Sequence, residues 1–544
     1  MTAAEKKDKK RNLPYMIPVL CASVQWLIWQ FLRIGNGFLE YDISRPYTWI
    51  QKAFFLCFLI SAWCFAFYVI RQYRAGNDKI RRGVKIFELY FLILFAILIL
   101  LWPGTWQWDD IGVLASARYY DVLPWQHVLS SFFQTVFLQL IPTPGGIILI
   151  QLVTAAVIVS YSLTDFEATF FDGKPSIQYW IIDTLIKLIP FLLPPVILYQ
   201  YSGFRMGMYI FYEVFVLSFI ICISYRSRTI SPQMLVFFAL CTAVISTWRS
   251  EGLLYAPVVI ILILIQDNKM LSIRKKLFTV GVIITGIAAI TSFQKFMTED
   301  DNYSIVAFLR PLSEVVRAAD PIEDAELLAD IDKVITMEPI YEYPDVNGED
   351  LLWKYDLNIK EYTDEEYSSF FKAFLELCRR HPKAVAKERI KVFVDTSAIH
   401  GRTNPTNVTV TYYLFDPAEQ NINQQDFVSW DAPFNRPVSE SLRQSLILFL
   451  GALREDFSEM PIYRLVWDTI IPLGILIVLW FYLLIKKELK LLLGLSAVVF
   501  RIPIVFLTAP ATWTMYYLSF YLIGYIALMW ILQYVVGSKK RKSR

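Results

Sequence analysis

Apolar runs on the scale of a bilayer recur along this chain, and they settle its class of fold before any other feature. A helix needs about 20 residues to cross the hydrocarbon core. Runs close to that length lie near 14–34, 49–70, 84–101, 145–163, 179–199, 206–224, 232–247, 252–266, 276–293, 465–485, 490–507 and 512–535. Inside hydrocarbon every backbone N–H and C=O must find its partner within the segment, so runs of this kind fold as helices. The expected fold is an all-α polytopic membrane protein of about twelve transmembrane helices, and its first partner is the lipid bilayer.

Lysine and arginine in the short loops orient those helices. Basic residues gather in the N-terminus, in 71–82, 225–228, 268–276 and 486–490, and in the tail KKRKSR. Twelve crossings put all of these on one side, expected to be cytoplasmic, with both termini. The loop 164–178 falls on that side too and is mildly acidic, the one exception. The segment 126–141, PWQHVLSSFFQTVFLQ, is apolar enough to be counted as a further span. Counting it would move every later basic loop to the other face, so it is expected to lie on, or dip into, the outer face.

The net charge of +3 conceals an asymmetry. Residues 295–463 hold 31 Asp and Glu against 17 Lys and Arg, leaving 18 acidic against 35 basic residues elsewhere. An acidic block inside a basic frame gives no extended cationic surface for nucleic acid. The block 294–463 is expected to fold outside the membrane as an α-rich (α+β) domain, being large enough for its own core. Thr363 followed by Glu366 reads as a capping box opening a helix to about Arg380, which His381-Pro382 ends. Helices are also expected over Lys383–Asp395 and 322–334, with a short β-like run at Val408–Leu414. The remaining divisions are a tail and three spans at 1–101, an outer loop with interfacial helices at 102–144, six spans at 145–293, and three spans with a basic tail at 464–544. Five of the six cysteines sit in apolar runs, and Cys378 alone lies in the acidic block, so neither a disulfide framework nor a zinc pattern is indicated. No phosphate loop, dinucleotide fingerprint or metalloprotease motif occurs, which leaves soluble nucleotide-dependent catalysis without support.

The polar residues that stand out lie near the expected outer face. Trp108, Asp109 and Asp110 follow the third apolar run and a Pro-Gly break. Adjacent carboxylates at a membrane edge suit a general base and an orienting or metal-holding partner, because partial burial raises a carboxyl toward the range useful for taking a hydroxyl proton. They equally suit the first turn of a helix. His127, one of three histidines, sits in a Trp-Gln-His cluster and reads either as a ligand-facing group or as an interface residue. Arg249 with Glu251, between two spans, suits a phosphate or a local ion pair. Arg205 lies at an outer edge with the same choice. Arg501 is inside a span, where an ionisable side chain needs a cavity or a partner. Lys187, Asp183 and Glu213 are also inside spans and are expected to pair with one another or to line a groove. Tyr516 and Tyr517, after Trp513, suit stacking on a sugar or anchoring at the interface.

Taken together these residues resemble the GT-C superfamily of integral-membrane glycosyltransferases, such as protein mannosyltransferases and the aminoarabinose transferase. The likeness is carried by WDD at 108–110, by PWQH at 124–127, and by Arg249-Ser-Glu-Gly252 against an Arg-x-x-Gly pattern near an outer helix end. His127 is followed by Val128 where the family often has Pro, and two extra spans precede the family-like core. LRPLSEVVRAADPIEDAEL and FLELCRRHPKAVAKERIKVF look like segments of bacterial membrane relatives. The resemblance implies a polyprenyl-phosphate-linked sugar donor, its phosphate held by arginines, and a glycan, teichoic-type polymer, lipid-linked glycan or protein acceptor. It implies that Asp109 or Asp110 is the base of an inverting transfer at the extracytoplasmic face of a bacterial cell membrane, with a divalent metal (Mg or Mn) held by the same pair if any is used. Two other classes compete. A transporter or flippase of lipid-linked glycans would use broken helices in paired repeats, and Pro190, Pro194 and Pro195 offer one break. A non-catalytic envelope-assembly protein would leave Asp109 and Asp110 without a task.

Overall fold

The computed structural model describes residues 3–31, 39, 44–106, 108–123, 126–170, 180–225, 230–267, 271–298, 302–397, 437–451 and 465–542. Among them the chain is built of helices, and the only β-type pairings are isolated bridges at Thr105–Ser202 and Ile335–Ile359. The membrane-facing part holds α1 (Ala3–Phe31), α2 (Pro46–Arg74), α3 (Asp78–Leu101), α4 (Trp108–Arg118), α5 (Val128–Leu140), α6 (Pro144–Phe170), α7 (Trp180–Leu188), α8 (Pro194–Gln200), α9 (Met206–Tyr225), α10 (Pro232–Thr247), α11 (Tyr255–Leu264) and α12 (Ile273–Met297). The acidic block follows with α13 (Leu309–Ala318), α14 (Ala325–Asp332), α15 (Glu338–Glu342), α16 (Gly348–Lys354), α17 (Asp364–Arg380) and α18 (Pro382–Ser397). Last come α19 (Glu440–Gly451), α20 (Ile470–Lys486), α21 (Leu489–Val499), α22 (Arg501–Thr508) and α23 (Leu518–Lys542).

Six helical segments are long and apolar enough to cross a membrane: α2, α3, α6, α9, α12 and the joined α21–α22. The pair α7 and α8 makes a seventh, bent by 71°. The bend follows from the sequence, since Pro190, Pro194 and Pro195 remove backbone donors and push the preceding residues out of helical conformation. The other five expected spans are shorter apolar helices, in α1, α10, the 250–264 segment, α20 and α23. The α5 helix has 13 residues, which rise only about 20 Å at 1.5 Å each, too short for a bilayer.

Contacts sort the loops to two ends. At one end Arg45 pairs with Asp121, Tyr47 stacks on Phe293, Gln294 accepts the Val128 N–H, and Arg443 donates to the Gly104 carbonyl. At the other, Lys79 pairs with Asp165, Lys490 donates to the Ser224 carbonyl and the Tyr225 hydroxyl to Glu488. Arg82 and Lys187 share Glu167 and Asp183 there, at 2.6–3.2 Å. The expected pairing of Lys187 with Asp183 is present, but Glu213 is not part of it. Glu213 lies a bilayer leaflet away along α9, on Arg501.

The acidic block has its own core, from Ile305 to Leu377, around Leu312, Ile331 and Phe370. Thr363 and Glu366 form the reciprocal cap of α17. The expected 322–334 helix is the shorter α14, and the second amphipathic helix is α18. Val408–Leu414 lies outside the described residues. Two helices tie the block to the membrane-facing core. In α18, Arg389 donates to the carbonyls of Leu507 and Ala509 at 3.2 and 2.9 Å, and Phe393 meets Tyr517 edge-on. In α19, Ile447 and Leu450 are buried in the membrane-facing core.

Candidate functional site

At the Asp109 end three helical runs break within the fold, and each break carries a polar residue singled out from the sequence. The first is the loop 201–205 between α8 and α9. It is clamped from four directions: Thr105 N–H donates to the Tyr201 carbonyl at 2.8 Å, Gln151 to the Gln200 and Ser202 carbonyls at 2.7 and 3.0 Å, Gln134 to the Gly203 carbonyl at 3.0 Å, and Gly203 N–H to Asp110 Oδ2 at 2.9 Å. A Cβ on Gly203 would sit 2.4 Å from the Trp106 ring, so only glycine lets the loop lie this close. The clamp fixes Arg205, whose Nη1 donates to the Trp248 carbonyl at 3.5 Å.

The second break, 248–254, joins α10 to α11. Gly252 packs so tightly on the Ile245 carbonyl that a Cβ would stand 2.1 Å from its oxygen. Arg249 is buried here; its Nε pairs with Glu251, its Nη1 donates to Met206 Sδ at 3.2 Å, and its guanidinium lies 5.5 Å from the centre of the Tyr516 ring. Burial opposes ionisation of Glu251, but Arg249 and Arg501 outweigh it and hold the carboxyl down at about 2. The third break, 509–517, follows α22. It supplies Tyr516 to this cluster, whereas Tyr517 turns into the core against Phe393 and Phe520.

Arg501 sits below the site and is fully engaged with protein groups. Its Nη1 pairs with Glu213 and accompanies the Tyr255 hydroxyl at 2.9 Å, its Nη2 is 3.7 Å from Glu251, and the Tyr255 ring centre is 5.1 Å away. Ser519 also donates to Glu213. The expectation of an arginine ready for substrate gives way here to a buried ion pair, because a charge so far from water needs a fixed counter-charge.

The carboxylate pair divides. Asp110 is buried and its Oδ2 takes the Gly203 N–H. Asp109 stays partly open at the base of the recess, with Gln126 Nε2 at 3.4 Å. Burial holds the Asp109 carboxyl above its ordinary range, against the pull of the Arg205 charge. His127 caps α5, its Nδ1 accepting from Leu129 N–H at 3.3 Å. That assigns the proton to Nε2. Burial, with the nearby Arg205 charge, pushes the ring down to about 3, so it is neutral at physiological pH. The side chain of Trp108 lies outside the described residues.

Sequence reasoning misses two groups. Gln126 lies inside PWQH but carries no distinctive pattern of its own. Glu349, one acid among many in the block, reaches the site through the fold alone: Arg310 Nη2 holds it at 3.2 Å, and it lies close enough to Asp109 to feel its charge. The donors do not build a metal cage. Asp110 is committed to Gly203, and among the described residues no three His, Cys, Asp or Glu side chains converge. Compared with known proteins, the chain matches no family model, no curated protein and no solved structure.

Proposed function

We propose that the protein is a membrane glycosyltransferase that moves a sugar from a polyprenyl-phosphate donor to an acceptor hydroxyl, with inversion. The observation that carries this reading is the convergence of one raised, partly open carboxyl, Asp109, with two arginines, Arg205 and Arg249, from separate segments. With Arg501 taken by Glu213, the recess keeps two cations against Glu251, a net positive charge suited to a phosphate. In the transfer, the acceptor hydroxyl gives its proton to Asp109 as its oxygen bonds the anomeric carbon. The bond from that carbon to the phosphate oxygen breaks on the opposite face. Polyprenyl phosphate leaves with the electron pair, and Arg205 and Arg249, already oriented, meet the charge that develops. Neutral His127 offers an Nε2–H donor to a sugar or phosphate oxygen, and the Tyr516 ring a face for the sugar.

The same reading takes twelve crossings, with the termini and basic loops cytoplasmic and the Asp109 end and the acidic block extracytoplasmic. The sorting of contacts to two ends supports it. The 71° bend of α7 and α8 is the one feature that favours a transporter. Reconstituted membranes, given a panel of polyprenyl-phosphate sugars and crude cell-wall acceptors, decide between them. Wild type is expected to transfer sugar and folded Asp109→Asn to lose at least about a hundredfold, in line with the usual worth of a general base. Movement of lipid-linked glycan across the bilayer without donor consumption would replace the enzyme with the transporter.

A further inference from the structure

The acidic block covers the recess from two sides. It leaves α12 just beyond Gln294, whose side chain accepts the Val128 N–H beside His127 at 2.7 Å. It returns through α18, where Arg389 is bound to the Leu507 and Ala509 carbonyls, a few residues before Tyr516. Between these tethers Arg310 bridges Glu349 at 3.2 Å and Glu388 at 3.5 Å. Glu388 is buried, but the Glu349 side chain stays 21% open. Deeper in the seam, Arg389 Nε and Nη2 are buried without a hydrogen-bond partner. Such unmet donors in a dry seam ask for an oxygen-bearing group or water.

We propose that Glu349, braced by Arg310, binds the acceptor: it faces Asp109 across the cleft and accepts hydrogen bonds from hydroxyls of an uncharged glycan whose neighbouring hydroxyl is presented to Asp109. The proposal rests on the transferase reading above. Charge selects the acceptor class. Arg310 and Arg389 are balanced by Glu349 and Glu388, so this wall carries no net charge, in contrast to the cationic donor side at Arg205 and Arg249. A neutral wall holding both acceptor and donor groups matches a polyol, whose hydroxyls do both. A phosphate polymer would meet the carboxylates of Glu349 and Asp109 with no free cation between them. Burial is the main cause lifting the Glu349 carboxyl to about 7, with Arg310 opposing and Asp350 and Asp109 adding to the rise; it can thus be charged at the outer surface of a cell yet remain responsive to what enters.

The test uses the full chain in nanodiscs with citronellyl-phosphate hexoses as donors and, as acceptors, neutral trisaccharides (maltotriose, mannotriose, chitotriose) or a ribitol-phosphate oligomer. Variants are Glu349→Gln, Glu349→Asp and, as a control, Asp350→Asn, whose native carboxylate pairs with Lys354 instead. Glu349→Gln is expected to leave donor hydrolysis by water within twofold and to raise the acceptor KM about 10- to 100-fold, the worth of one charge-assisted hydrogen bond. Glu349→Asp should recover part of the loss, and Asp350→Asn should match wild type. An unchanged acceptor KM in Glu349→Gln, or a preference for the ribitol-phosphate oligomer, overturns the proposal. Saturation-transfer NMR of the trisaccharides separates it from the transferase reading. A trisaccharide signal present in wild type and absent in Glu349→Gln, while wild type consumes no donor, would sink the transferase and keep the glycan site. No trisaccharide signal and no transfer in wild type would sink both.

Discussion

Neighbouring residues on a helix point about 100° apart, and Asp109 and Asp110 take different environments for that reason. Two acids after an apolar run and a Pro-Gly break are conspicuous in the sequence. Their division of labour is not, because it depends on Gly203, 93 residues away. Asp110 is a positioning residue by this geometry. Asp110→Asn keeps an oxygen for the Gly203 N–H and is expected to retain most activity. Asp110→Leu leaves that N–H buried and unmet, costing about 1–3 kcal/mol, and should loosen the Arg205 loop. The expected readout is a lower thermal midpoint in detergent with a raised donor KM; a Leu variant with wild-type values of both would remove Asp110 from this role. A pH profile separates Asp109 from His127. A base works only when ionised, so transfer should fall as pH drops through the raised Asp109 value. His127, held at about 3, is already neutral across that range. His127→Gln should therefore leave the position of the acid limb in place, and a limb that moved with it would name the histidine as the titrating group.

At the scale of elements, the apolar runs are legible because hydrocarbon allows little besides helices. The breaks are legible only where proline writes them, at Pro190, Pro194 and Pro195. Those at 248–254 and 509–517 depend on packing, such as Gly252 against the Ile245 carbonyl, which no local pattern announces. The partner of Arg501 is hidden for the same reason: Glu213 is 288 residues away. A buried ion pair makes an asymmetric prediction. Arg501→Met leaves Glu213 charged with only Tyr255 and Ser519 beside it, and should cost roughly 3–5 kcal/mol, whereas Arg501→Met with Glu213→Leu removes both charges and should recover most of it. Thermal unfolding of the two variants in detergent measures this. If the double variant is as stable as wild type yet loses transfer, Arg501 acts on substrate after all, and its ion pair is not the whole of its role.

At the scale of the molecule, sidedness decides whether the recess can meet substrate outside the cell. The length of α5 is what divides the possibilities. Its 13 residues cover about 20 Å of a core about 30 Å thick, and it packs between α4 and α6, with Phe132 against Phe54 of α2 and Phe133 stacked on Trp248. A helix held on that many sides at the Asp109 end does not add a crossing. Arg74, Glu342 and Lys487 are exposed and lie before α5, in the acidic block, and at the left-handed turn after α20. Each can be made the sole cysteine after the six native ones are replaced. With twelve crossings, a membrane-impermeant maleimide on intact cells should label Glu342→Cys and should reach Arg74→Cys and Lys487→Cys only after permeabilisation. If α5 were a span, Arg74→Cys would stay protected while Lys487→Cys became labelled and Glu342→Cys did not. That pattern would put the acidic block and Glu349 in the cytoplasm, where acceptors exported to the cell surface could not reach them, and the acceptor side of the proposed reaction would have to be sought among cytoplasmic glycans.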